Sequence, residues 1–173
     1  VPPYKNKSLS IEKRVDDLMG RMTLREKVLQ LQNRGAGRLD EIDRIFNGES
    51  FGCTHEMGTT AAECATMYKE LQQYMLTKTR LGIPIITSAE GIQGILQNNC
   101  TLFPHALAQG STFNPALIQR MTEAAGEEAK VIGIHQILSP VLDIARELRW
   151  GRVEETFGED PYLCLLYTSP SPR

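Results

Sequence analysis

Apolar residues recur every three or four positions along several stretches of this chain, the spacing of one helix face. Ile11, Val15, Leu18, Met19 and Met22 predict an amphipathic helix over Ser10–Met22. Thr23-Leu-Arg-Glu26 reads as a capping box that opens a second helix from Leu24 to about Gln32. A long helix is expected over Thr60–Lys78, with Ala61, Cys64, Ala65, Tyr68, Leu71, Met75 and Leu76 along one side. Asn114-Pro115 supplies an N-cap and a first-turn proline. The helix it launches runs to about Val131 and carries Leu117, Ile118, Met121, Ala125, Glu128 and Ala129.

Between the helices the pattern changes. Ile83-Pro-Ile-Ile-Thr87 is short and β-branched and reads as a strand, and Ile134–Leu142 reads as the next. Gly35, Gly37, Gly48, Gly52 and Gly58 punctuate an irregular stretch through Met57, and a glycine-containing loop is expected over Glu90–Thr101. The alternation of strand, helix and strand predicts an α/β architecture with parallel strands. A doubly wound sheet and a TIM barrel share that alternation. No glycine-rich dinucleotide fingerprint or phosphate loop follows a strand, which weighs against the doubly wound option and a nucleotide-binding enzyme.

Composition narrows the classes further. With 41% hydrophobic and 23% charged residues, the chain has the make-up of a globular domain. Its 19 basic and 21 acidic residues are intermixed, with no basic face for nucleic acid. No apolar run approaches the ~20 residues that span a bilayer. The cysteines Cys53, Cys64, Cys100 and Cys164 lack metal-like spacing, as do His55 and His135, so no metal or organic cofactor is expected. Cys64 lies on a helical apolar face and reads as core, and a Cys53–Cys100 disulfide is an open alternative for the other thiols. Asn6-Lys-Ser and Asn99-Cys-Thr fit the glycosylation acceptor pattern. The opening Val1-Pro2-Pro3 has the look of a processed or clipped sequence.

The densest chemistry lies in Leu138–Pro161, where an apolar run gives way to three arginines, several acidic groups and the chain's one tryptophan. A solvated salt-bridge patch is the plain reading of such a segment. The Trp150-Gly151-Arg152 step adds an aromatic face, a flexible backbone and a fixed cation at one place. Holding a sugar ring calls for those parts: a flat apolar surface and bidentate donors for hydroxyls.

Ser139–Leu163 resembles the signature region of glycoside hydrolase family 3, the β-glucosidase and β-xylosidase group. The similarity continues upstream in Arg14-Val-Asp-Asp-Leu-Met-Gly-Arg-Met-Thr-Leu-Arg-Glu-Lys27, in Gly82-Ile-Pro-Ile-Ile-Thr-Ser-Ala-Glu-Gly-Ile-Gln-Gly94 and in Thr101-Leu-Phe-Pro104. Four motifs in the family's order cover Tyr4–Leu163. The resemblance implies the TIM barrel, of which residues 1–163 would be the N-terminal portion, since a complete barrel needs ~250 residues. It implies hydrolysis of terminal β-linked glucose or xylose from glycans by a retaining mechanism. The nucleophile and acid/base would lie beyond this stretch, so no catalytic residue is assigned here and the isolated chain is expected to be inactive.

What maps onto this sequence is half of a sugar-holding pocket. Glu90 falls where the family has a carboxylate that binds hydroxyls of the terminal sugar, and Arg152 matches an arginine that reaches the same sugar. Trp150 either stacks beneath the ring or packs in the core. Arg146, Arg149, Asp143 and Glu155 are expected as supporting charges, with either arginine pairing to Asp143, Glu155 or Asp160. Gln93 replaces a histidine common in the family, and His105 is expected to be a hydrogen-bonded structural residue. The partner is a β-linked oligosaccharide or glycoside, with the rest of the barrel and a following domain to complete the site. Exported relatives imply a secreted, periplasmic or extracellular location. A non-catalytic carbohydrate-binding or scaffold protein is the alternative function. Residues 164–173 resemble a translated adapter, and Pro170 and Pro172 argue against helix there, so this tail is expected to be non-native or disordered.

Overall fold

A computed structural model describes residues 1–55 and 58–168 of the chain. In order the elements are α1 (Ile11–Arg21), α2 (Leu24–Leu29), α3 (Ile42–Phe46), β1 (Cys53–Thr54), α4 (Ala61–Lys78), β2 (Ile86–Glu90), α5 (Ala106–Gly110), α6 (Pro115–Ile132), β3 (Gln136–Leu138) and α7 (Pro161–Thr168). The strands lie side by side as β1-β2-β3, all parallel, with Cys53 opposite Ile86 and Glu90 opposite Leu138. Helices α4 and α6 are the crossovers that a parallel pair requires. The result is part of a TIM barrel, as expected from the motifs.

Capping places the helices. Thr23 and Thr60 each accept from the backbone N–H three residues on, while Glu26 and Glu63 reach back to the caps. Asn114 accepts from the Leu117 N–H at 3.1 Å, and Gly133 ends α6 at φ 91°, a left-handed position that suits glycine. The outer face of the sheet carries the core. Cys64, Tyr68, Leu71 and Met75 of α4 pack with Ala129 and Ile132 of α6 over Ala89. Leu76, one position off the α4 stripe, is exposed instead.

The strands differ from the expected spans. Pro84 has no N–H for the ladder, so β2 begins at Ile86 and runs on to Glu90 rather than stopping at Thr87. Pro140 shortens β3 in the same way, and the chain leaves it through a cis Ser139–Pro140 bond. The glycine-punctuated stretch before Met57 is not wholly irregular: it holds α3, whose Ile42 and Phe46 are buried, and the two-residue β1. The helix after Thr23 closes at Leu29, short of Gln32.

The tail also needs correction. Helix α7 crosses Leu163 and runs to Thr168, with Cys164 buried and Tyr167 stacked on Phe157 at 5.1 Å. A proline bars helix at its own position and disfavours it one residue before, not several residues upstream. The expected disorder therefore does not hold for Cys164–Thr168, and its remaining part, residues 169–173, lies outside the described residues.

Candidate functional site

The parallel register brings the C-terminal ends of the three strands to one rim, the place where barrel sites form. Glu90 is the last residue of β2. At Gly91 a Cβ would collide with the Ile137 side chain, so only glycine lets the backbone pass β3 this closely and turn directly after Glu90. Next to Glu90, the Nε2 of His55 lies 3.8 Å from a carboxylate oxygen, and its Nδ1 lies 3.3 Å from the Ser88 hydroxyl.

Arg152 reaches the same neighbourhood from the loop after β3. That loop is tied down where the Ala145 N–H donates to the Gly158 carbonyl at 3.0 Å. Arg152 donates from Nε and Nη2 to one oxygen of Glu155, at 2.9 and 2.6 Å. This pairing holds Glu155 below the usual carboxylate range, and the nearby His105 pushes the same way. Reciprocally, Glu155 raises Arg152, with smaller contributions from the charges of Glu90 and Asp143. Glu90, Asp143, Glu155 and Arg152 thus share one electrostatic neighbourhood, although they are dispersed along the chain. Two of the five guanidinium donors are committed to Glu155, which leaves others for a ligand.

The remaining candidates fall differently. Trp150 is half-buried and belongs to neither apolar cluster. Arg149 pairs with Glu147 at 2.7 Å, not with Asp143, Glu155 or Asp160. A tight turn explains this, because the Arg149 backbone N–H donates to the same carboxylate at 2.9 Å and presets it for the side chain. Arg149 holds the Glu147 carboxyl down at about 2. Arg146 is exposed and makes no ion pair among the described residues. His105 is not the hydrogen-bonded structural histidine expected: it is exposed and caps no amide of α5 with its side chain. Gln93 keeps a buried side-chain oxygen with no hydrogen-bond partner among the described residues.

Cys53 and Cys100 are both free thiols, which removes the disulfide between them. Cys64 is fully enclosed core, as its helical position implies, and Cys100 packs against the same cluster. Burial raises the Cys100 thiol, with Glu128 and Cys64 adding to it.

His55, Ser88 and Cys53 were not legible as site residues. The signal was the register itself: once Cys53 is set opposite Ile86, His55 must emerge beside the end of β2.

Residues 23–169 match the glycosyl hydrolase family 3 N-terminal domain. The chain belongs to glycosyl hydrolase family 3. It is 32% identical to β-glucosidase C of Emericella nidulans, over 94% of this chain and 29% of that protein. Likewise, it is 31% identical to the periplasmic β-glucosidase/β-xylosidase of Dickeya chrysanthemi, over 93% of this chain and 28% of that protein. Among solved structures, a β-glucosidase from Erythrobacter marinus superposes with a TM-score of 0.80 at 29% identity, covering 95% of this chain and 23% of that one. The family 3 chain described here therefore spans less than a third of the length of these relatives.

A cavity of about 660 Å³ adjoins the rim, lined by Gly91, by Ile137 and Ser139 at the end of β3, and by α5, α6 and α7. Glu155 lines its edge, but Ile118, Met121, Phe157 and Tyr167 give it an apolar wall, and neither Glu90 nor Arg152 borders it.

Proposed function

We propose that the protein carrying this chain hydrolyses the terminal β-linked glucose or xylose of glycosides and oligosaccharides with retention of configuration. The supporting observation is the placement of Glu90 at a strand's C-terminal end, within the field of Arg152, on a family 3 scaffold. A carboxylate accepts hydroxyl hydrogens strongly, and a guanidinium fork donates to sugar oxygens. Glu155 holds the Arg152 guanidinium through two hydrogen bonds, and Trp150 supplies a flat surface on the same loop. A retaining reaction needs a carboxylate nucleophile and an acid/base about 5–5.5 Å apart. The family resemblance implies that the bond-breaking pair lies outside this chain, which would then contribute binding and orientation. The relative from Dickeya chrysanthemi is named as periplasmic, which supports an exported location for this protein as well.

The test uses the longer protein with an aryl β-glucoside or β-xyloside. The β-anomer should appear first by NMR, and first release of the α-anomer overturns retention. Arg152→Ala should lower kcat/KM about 100-fold, the scale of a lost charged hydrogen bond, with the melting temperature little changed. Unchanged kinetics would remove Arg152 from the pocket.

A further inference from the structure

His55 stands immediately beyond β1, beside the end of β2, and its two ring nitrogens face different groups. Nδ1 meets the Ser88 hydroxyl. That hydroxyl has one proton, and it is directed to the Thr54 carbonyl at 2.9 Å. The Cys53 sulfur lies 3.4 Å from the Ser88 hydroxyl oxygen and 3.5 Å from the Thr54 carbonyl. With the Ser88 proton on its shorter contact, the Thr54 carbonyl at 2.9 Å rather than Nδ1 at 3.3 Å, the Ser88 oxygen accepts and Nδ1 carries the hydrogen of a neutral imidazole. In that tautomer of the neutral ring the lone pair is at Nε2, the nitrogen nearer Glu90.

That lone pair sits 3.8 Å from Glu90 Oε1, too far for a hydrogen bond and between two groups that both accept. The side chains of His55 and Glu90 are 36% and 38% exposed, so a ligand can touch both. Two neighbouring acceptors on a barrel rim suit a ligand with two neighbouring donors. Adjacent hydroxyls of a pyranose are such a pair.

We propose that His55 is a second sugar-binding residue: its Nε2 accepts from the hydroxyl adjacent to the one held by Glu90. Ser88 is a positioning residue that fixes the tautomer. The inference rests on the reading of Glu90 as a sugar ligand and adds to it a preference for an intact vicinal diol. A glycoside lacking either hydroxyl loses one of the two hydrogen bonds.

The experiment compares His55→Phe, His55→Gln and Glu90→Gln in the longer protein, on a 4-nitrophenyl β-glucoside or β-xyloside and its monodeoxy analogues. The assay is run above the range in which histidines titrate. His55→Phe should lower kcat/KM about fivefold on the parent glycoside, the scale of one neutral hydrogen bond. His55→Gln, whose carbonyl reaches the same place, should recover most of it. On one analogue the His55→Phe penalty should vanish, and that analogue should differ from the one that cancels the Glu90→Gln penalty. An equal His55→Phe penalty on every analogue means a structural role and overturns the proposal, while Glu90 keeps its assignment. If Glu90→Gln carries no penalty on any glycoside, the underlying reading fails as well. Should His55→Phe fold poorly, the unsubstituted protein still decides: it must lose affinity when either of two adjacent hydroxyls is removed, and sensitivity at a single hydroxyl overturns the inference.

Discussion

Along β2, Thr87 and Ala89 face the helices and are enclosed, whereas Ile86, Ser88 and Glu90 alternate with them and face the other way, where of the three only Ser88 is buried. The helix side has Leu71, Met75 and Tyr68 packed against it, with the Tyr68 hydroxyl donating to the Ser88 carbonyl at 3.2 Å. On the opposite side Ile86 is 50% and Leu138 40% exposed, around a hollow of about 530 Å³. One face is a finished core. The other is a barrel interior without its remaining strands, and its rim carries the charged site. Stability and binding are therefore assigned to opposite sides of the same few residues.

The largest effect expected from this difference is on folding. Leu71→Ala should cost about 3 kcal/mol in urea denaturation, since it empties a fully enclosed position. Ile86→Ala in the 173-residue chain should cost a small fraction of that. In the longer protein the Ile86→Ala cost should rise toward the Leu71→Ala cost as the remaining strands cover it. Equal costs in the short chain would break the comparison, because they would mean that the inner face is already packed. With that face open and the outer edge of β3 unpaired among the described residues, the short chain should melt broadly at low temperature. A sharp cooperative transition would count against it.

The same division explains what could be read without coordinates. Helices α1, α4 and α6 were legible because caps and apolar spacing agree over many residues, as at Thr60–Glu63 and Asn114–Pro115. Strand β1 was not, since two residues carry no period and flanking glycines point to loop. Missing β1 hid His55, whose role depends on a neighbour 35 positions away. Glu90 and Arg152 were visible through the motifs around them. The pairing of Arg149 to Glu147 was not, because it depends on a turn that spacing alone leaves open.

A smaller effect is expected away from both faces, at the start of α2. Glu26 accepts from the Thr23 backbone and from Arg80 Nε at 2.8 Å on each count. Arg80 chiefly, with Thr23 assisting, lowers its carboxyl from 4.5 to about 2. A depressed carboxyl stabilises the fold fully above its unfolded value and loses that contribution as pH falls through its folded value. Glu26→Gln should therefore cost on the order of 1 kcal/mol at neutral pH, a capping box and a partly exposed ion pair together. The deficit should shrink between pH 4.5 and 2, where the parent loses the same charge. A deficit constant across that window would mean that packing, not charge, carries the contribution.

The smallest effect separates two arginines that look alike in sequence. Arg149 and Arg152 both follow β3, and both pair with a glutamate nearby in the chain. Arg149 and its partner Glu147 are 89% and 57% exposed, so water screens the pair and the turn, not the charge, sets its geometry. Arg152 and Glu155 are 58% and 18% exposed, and Arg152 also feels Glu90 and Asp143. Arg149→Ala should leave the melting temperature and kcat/KM of the longer protein within twofold of the parent assay, roughly the spread of a neutral surface change. A tenfold fall in kcat/KM would place Arg149 on the sugar beside Arg152 and extend the rim site across the whole turn. The outcome is decided by exposure, because the two side chains carry the same charge and donors and differ only in what the fold sets around them.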